Sequence, residues 1–124
     1  MLFFKRRRIL KSTNSLDLIP IRIYDNDEVD GKVVIKVPKF ENKGIHFFFP
    51  STKKLFYRIK LDNTGSLVWR KIDGKRKVHE ITEIVIQESQ NEKITTDEFQ
   101  GRVSKFMSTL YDRRYISFKQ LMDE

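Results

Sequence analysis

Cysteine is absent from the 124 residues. That excludes disulfides and thiolate metal sites, and it suits a reducing compartment such as the cytoplasm. Histidine is scarce, with only His46 and His79. A zinc site would have to draw most of its ligands from carboxylates, and no HExxH-like pair at helical spacing exists, so no metal is assigned to either. The five glycines stand singly, which excludes a P-loop and a dinucleotide fingerprint, and no G-x-S-x-G nucleophile elbow occurs. Long apolar runs are missing too, and none approaches the ~20 residues of a membrane span. Met1-Leu2-Phe3-Phe4, followed at once by Lys5-Arg6-Arg7-Arg8, lacks the apolar stretch and cleavage site of a secretory signal. Asp25-x-Asp27 with Asp30-Gly31 superficially suggests a calcium loop. Its fifth, sixth and twelfth positions would be Val29, Asp30 and Lys36, where an oxygen ligand, glycine and glutamate are needed. These absences leave no catalytic residue, metal site or cofactor to nominate. The chain reads as a binding protein and not as an enzyme.

What is present begins with charge. The formal net charge is +8, but it is unevenly placed. Residues 1–16 hold Lys5, Arg6, Arg7, Arg8 and Lys11 without an acid, and the remainder is close to balance. Residues 1–18 are therefore expected to form a basic, flexible leader. Contact of that leader with nucleic acid or anionic lipid is the alternative.

Periodicity then marks the elements. Ile19, Ile21 and Ile23 alternate with Pro20, Arg22 and Tyr24, and Val33, Ile35 and Val37 alternate with Lys32, Val34 and Lys36. These predict strands over about 19–24 and 32–37, joined by the acidic turn Asp25–Gly31. Pro20 belongs at a strand start or edge, and Pro38 ends the second strand. Residues 38–54 read as loop apart from Ile45-His46-Phe47-Phe48-Phe49. That run needs burial within the chain or in a homodimer contact. A third strand over 55–61 has an apolar face (Leu55, Tyr57, Ile59, Leu61) and a mostly basic one (Phe56, Arg58, Lys60).

Three helices follow, over about 64–72, 78–87 and 96–112. Asp62 or Asn63 can cap the first, whose buried stripe runs Leu61, Gly65, Val68, Trp69, Ile72. Gly65 on that stripe costs about 1 kcal/mol relative to alanine and points to close approach of another backbone. Asp73-Gly74 stops the helix. The second helix faces the core with Val78, Ile81, Ile84 and Val85. The third opens on a capping box, Thr95 with Glu98, and places Phe99, Val103, Phe106, Met107 and Leu110 on one side. Arg113-Arg114 suit its negative pole. Tyr115–Phe118 is a short extended closer, and residues 119–124 are expected to fray. The order describes a single α+β domain over residues 19–118.

The run Tyr57–Ile81 resembles the pyrroloquinoline quinone synthesis protein D (PqqD-like) family. The match lies in an apolar strand entering a helix with Gly65 and Trp69, then Ile72-Asp73-Gly74, then Val78-x-x-Ile81. Phe99-x(3)-Val103-x(2)-Phe106-x(3)-Leu110 and Tyr115-Ile116 extend it over roughly residues 55–118. Lys77 departs from the family, which usually has a capping threonine there. The resemblance implies a winged-helix-like fold, a small three-stranded antiparallel sheet followed by three helices. It also implies a peptide chaperone, or precursor-peptide recognition element. Such a protein holds the leader of a ribosomally made peptide as an extra strand and presents it to a maturation enzyme, commonly a radical S-adenosylmethionine protein. By that analogy the peptide lies on the third strand, in a groove bordered by the third helix. The expected peptide-binding residues are Phe56, Arg58, Lys60, Arg102, Lys105, Phe106 and Leu110. The spacing of Phe106 and Leu110 is more often that of plain core, and the four cations also suit solvated faces. A winged-helix nucleic-acid binder is the alternative function. The loose Gln87–Thr95 connection and the acidic start of the third helix, Asp97-Glu98, weigh against it.

Overall fold

The computed structural model describes residues 15–39, 56–89 and 95–122. Residues 1–14 of the basic leader lie outside them, as does Ile45–Phe49 with the dimer contact considered for it. The described chain begins with a 3-10 turn, Ser15–Asp17, and runs through β1 (Pro20–Arg22), β2 (Asn26–Val29), β3 (Lys32–Pro38) and β4 (Phe56–Lys60). Helices α1 (Asn63–Lys71), α2 (Val78–Ser89) and α3 (Thr96–Asp112) follow, then β5 (Ile116–Phe118) and the short α4 (Lys119–Met122). A three-stranded antiparallel sheet ordered β2-β3-β4 therefore precedes the three long helices.

The first strand of that sheet is not the one that periodicity suggests. Pro20–Arg22, from the predicted strand 19–24, pairs antiparallel with β5 as a separate two-stranded ribbon, Ile21 opposite Ser117. The place beside β3 goes to Asn26–Val29, from the segment read as an acidic turn. Asp30-Gly31 alone makes the turn, with φ of 53° and 78°. A two-residue loop with both residues left-handed matches the twist of a hairpin, and Asp-Gly is a favoured sequence for it. β2 carries little intrinsic strand preference, and its side chains supply the reason it forms. Asn26 Oδ1 accepts the Trp69 indole N–H at 3.1 Å. Glu28 receives a two-pronged pair from Arg70, 2.7 Å to each carboxylate oxygen. Asp27, on the opposite face, meets Arg58 at 3.1 Å and Lys36 at 3.5 Å. Tertiary partners on both faces override propensity here.

The core lies between the sheet, α1 and the other two helices. Trp69, Ile35, Ile72, Ile81 and Ile116 are its largest fully buried side chains. At nine residues, α1 is shorter than the ~12–15 that an isolated helix needs in water. Burial of Val68 and Trp69 along it, and of Ile72 at its end, holds it instead. Asp62 caps it, accepting from Gly65 N at 2.7 Å, and Ser66 does more than fill space. Its hydroxyl, fully buried, accepts the backbone N–H of Val33 at 2.8 Å. β3 thus has its first core residue tied to the first turns of α1.

α2 lacks a capping side chain at Lys77, and two other acceptors substitute for it. Glu80 Oε1 accepts the Lys77 N–H at 2.9 Å, the return half of a capping box. Val78 N donates to Leu18 O at 2.9 Å. Separately, the buried Thr82 hydroxyl finds its own partner by donating back to Val78 O at 2.9 Å. The Leu18 contact places the domain's start earlier than residue 19, for Leu18 is itself core. At the other end, 119–124 is not simply a frayed tail. Lys119–Met122 makes a helical turn whose Leu121 is 1% exposed. Gln120 fastens it, accepting from Ile19 N at 3.1 Å and donating to Asp17 O at 3.0 Å.

Replacing Ser66 by alanine leaves the Val33 N–H buried without a partner. The Ser66→Ala variant is expected to lose about 1–3 kcal/mol of stability in urea denaturation, and a loss within error of zero would refute this role. Lys77→Thr restores the missing cap acceptor and is expected to gain about 0.5–1 kcal/mol in the same assay.

Candidate functional site

Two features meet at the end of β4. The first is an edge. β4 pairs with β3 on one side, and among the described residues no strand pairs with the other. The ladder's register fixes which backbone groups face outward. Leu61 N donates to Val33 O at 2.9 Å, and Ile59 stands opposite Ile35. Lys36 N donates to Asp25 O on the β2 side. In an antiparallel ladder alternate residues bond inward, so the N–H and C=O groups of Phe56, Arg58 and Lys60 point to the open edge.

The second feature is a groove of about 520 Å³ beside that edge. The chain leaves β4 at Lys60 and enters α1 at Asn63, so strand end and helix start stand side by side, facing α3. The groove's apolar lining comes from Leu61, Gly65, Val68, Phe99, Val103 and Phe106, with Lys60, Asp62, Thr64, Ser89 and Arg102 around them. Gly65 is essential to this shape. A Cβ there would stand 3.3 Å from the Phe106 ring and 3.0 Å from Asp62 Oδ1. The close approach anticipated at Gly65 is therefore to a ring and a capping carboxylate and not to another backbone. Arg102 and Lys60 are exposed and form no ion pair among the described residues. Asp62 is committed to its cap. The groove mouth is net positive.

The expected site residues divide. Lys60, Arg102 and Phe106 line the groove together. Arg58 lies on the outer sheet face, bound to Asp27, and Phe56 is half-buried at the start of β4 with the Lys36 ammonium 6.0 Å from its ring. Lys105 is exposed on α3 and is not a lining residue. Leu110 is 2% exposed and belongs to the core. The first turns of α1 were not anticipated as lining. The glycine on its buried stripe was the available signal, because a missing side chain in a helix leaves room as readily as it permits contact. His79 stands 4.0 Å from Asp17 Oδ1, away from this groove. Among the described residues no group of three metal-ligating side chains gathers, and no helix is long and apolar enough to cross a membrane.

The acidic residues of β2, on the far edge of the sheet from the groove, sit in ion pairs that bear on the stability of the fold. A hydrogen bond from Arg58 holds the Asp27 carboxyl below its ordinary 3.8, against the opposing push of desolvation, and Lys36 adds to the lowering. The Arg70 hydrogen bond likewise holds Glu28 below 4.5. At the α1–α2 turn, the backbone N–H groups of Arg76 and Lys75 keep Asp73 below 3.8. A carboxylate with a lower pKa folded than unfolded stabilises the fold above the unfolded value, and that contribution is lost as pH falls through the folded one. The melting temperature is thus expected to hold down to about pH 5 and to drop below it. Glu28→Gln should flatten that drop, and an unchanged acid limb in the variant would remove Glu28 from the account.

The family model of coenzyme PQQ synthesis protein D (PqqD) matches residues 55–116, half of the chain. The matched span runs from the approach to β4 through the start of β5 and leaves β1, β2 and β3 outside it. No curated protein and no solved structure matches the chain.

Proposed function

The chain belongs to the coenzyme PQQ synthesis protein D family, and we propose that it is a non-catalytic peptide-binding chaperone. In this reading it captures the leader of a ribosomally made precursor peptide as an added strand on β4 and presents it to a maturation enzyme, a radical S-adenosylmethionine protein or one of similar role. The observation that carries the reading is the open edge of β4 beside the groove between α1 and α3. Strand addition needs unpaired main-chain groups for affinity and a side pocket for selectivity, and Arg58, Lys60 and the Phe106-lined groove supply both kinds. The family's name supports a place in cofactor biosynthesis.

The alternative, a winged-helix nucleic-acid binder, finds less support. α3 opens on Asp97 and Glu98, which would repel phosphates where a recognition helix approaches them.

The test uses the isotopically labelled chain and synthetic copies of the peptides encoded by short open reading frames beside its gene. Binding is expected to shift the amides of Phe56–Lys60 and of the groove-facing residues Phe99–Phe106. Gly65→Leu, which fills the groove, should weaken binding about tenfold or more, equivalent to about 1.4 kcal/mol. Amide shifts confined to other surfaces would refute strand addition on β4.

A further inference from the structure

The geometry points to the class of peptide that the β4 edge accepts: a segment in which acidic residues alternate with apolar ones. This rests on the reading of β4 as a strand acceptor. Residues directly opposite each other in a sheet share a face. A residue added opposite Arg58 or Lys60 therefore lies on the outer face, beside their side chains. On that face one carboxylate, Asp27, is shared by Lys36 and Arg58 at 3.5 and 3.1 Å. Lys60 has no ion pair among the described residues. The outer positions of an added strand consequently meet an excess of positive charge, and acids answer it.

The inner positions meet something else. Opposite Tyr57 an added residue finds an aromatic residue that is 57% exposed although it lies on the sheet's core-facing side, with the Lys39 ammonium 5.1 Å from its ring. Opposite Ile59 it lies on the core-facing side of the sheet, the face that carries the groove-lining Leu61. Both positions favour an apolar side chain. Two outer and two inner positions thus give an acid–apolar alternation of period two, and that pattern survives either strand direction.

A second copy of this chain fits the edge poorly. Antiparallel pairing of β4 with itself, centred on Arg58, sets Arg58 against Arg58. Centred on Ile59, it sets Arg58 against Lys60. Like charges directly opposite destabilise a strand pair, so the basic edge selects against its own copy while it welcomes an acidic strand.

The experiment titrates the full chain with three labelled synthetic peptides of roughly ten residues, a strand-length segment. One alternates glutamate with leucine, one has the same composition with the glutamates and leucines in separate blocks, and one alternates lysine with leucine. The alternating acidic peptide is expected to bind about tenfold or more tighter than either other, with amide shifts at Phe56–Lys60. Lys60→Glu, an exposed substitution that should leave the melting temperature unchanged, is expected to reverse the order of the acidic and basic peptides. Equal affinity of all three at β4 overturns the proposed class and leaves strand addition standing. Tight binding with shifts away from β4 overturns strand addition as well. Absence of binding by the alternating acidic peptide also overturns the class, and the peptides from neighbouring reading frames then decide strand addition separately.

Discussion

The hydroxyl of Ser66 holds the N–H of Val33 at 2.8 Å in a fully buried position. Val33 is where β3 first enters the core, and Ser66 sits in the first turns of α1, so the contact sets the helix against the sheet at one point. Around it the register becomes determined. Leu61 N reaches Val33 O, which fixes β4 on β3, and the cap at Asp62 then starts α1 immediately afterwards. Trp69, three residues beyond Ser66 on the same helix, is fully buried and takes Asn26 as its polar partner, which draws β2 onto the other edge of β3. Sheet order, helix placement and the open edge of β4 all descend from this junction.

The same junction explains why structure and candidate site cannot be separated. The groove exists because only two residues separate the end of β4 from the start of α1 and because Gly65 carries no side chain to fill the space toward Phe106. Val68 and Val103 serve core and groove at once, each being buried while contributing to its wall. Charge is divided in an equally economical way. The acids of β2 neutralise Arg70 and part of the outer sheet face, and Lys60 and Arg102 stay available at the mouth.

Much of this was legible in the sequence where one face is apolar and the period is clean. α3 announced itself through Thr95, Glu98 and the Phe99–Leu110 stripe, and the capping bond from Glu98 N to the Thr95 hydroxyl is present at 3.1 Å. β3 and β4 were legible for the same reason. β2 was not, because Asn26-Asp27-Glu28 has no hydrophobic period, and its stability comes from Trp69, Arg70 and Arg58, which are distant in sequence. The mispairing of β1 has a related cause. Alternation says that a segment is a strand but not which neighbour it takes, and the partner, Ile116–Phe118, stands at the far end of the domain. At the site, side-chain spacing nominated Phe106 and Leu110 alike. Only packing separates a partly buried groove residue from a core one a turn away, and the contribution of Gly65 lies in atoms it does not have.

The β1–β5 ribbon, with Gln120 bonded to Ile19 and Asp17, joins residues 101 and 103 positions apart. Such a closure carries nearly the full loop entropy of the domain, whereas β2-β3-β4 and the three helices form through shorter separations. Contacts of long separation are late to form and slow the search. The ribbon is therefore the entropically costliest closure of the domain, and burial of Leu18, Ile116, Phe118 and Leu121 in the same core as Trp69 is what offsets it. The ends of the described chain act as a clasp on the core that carries the groove.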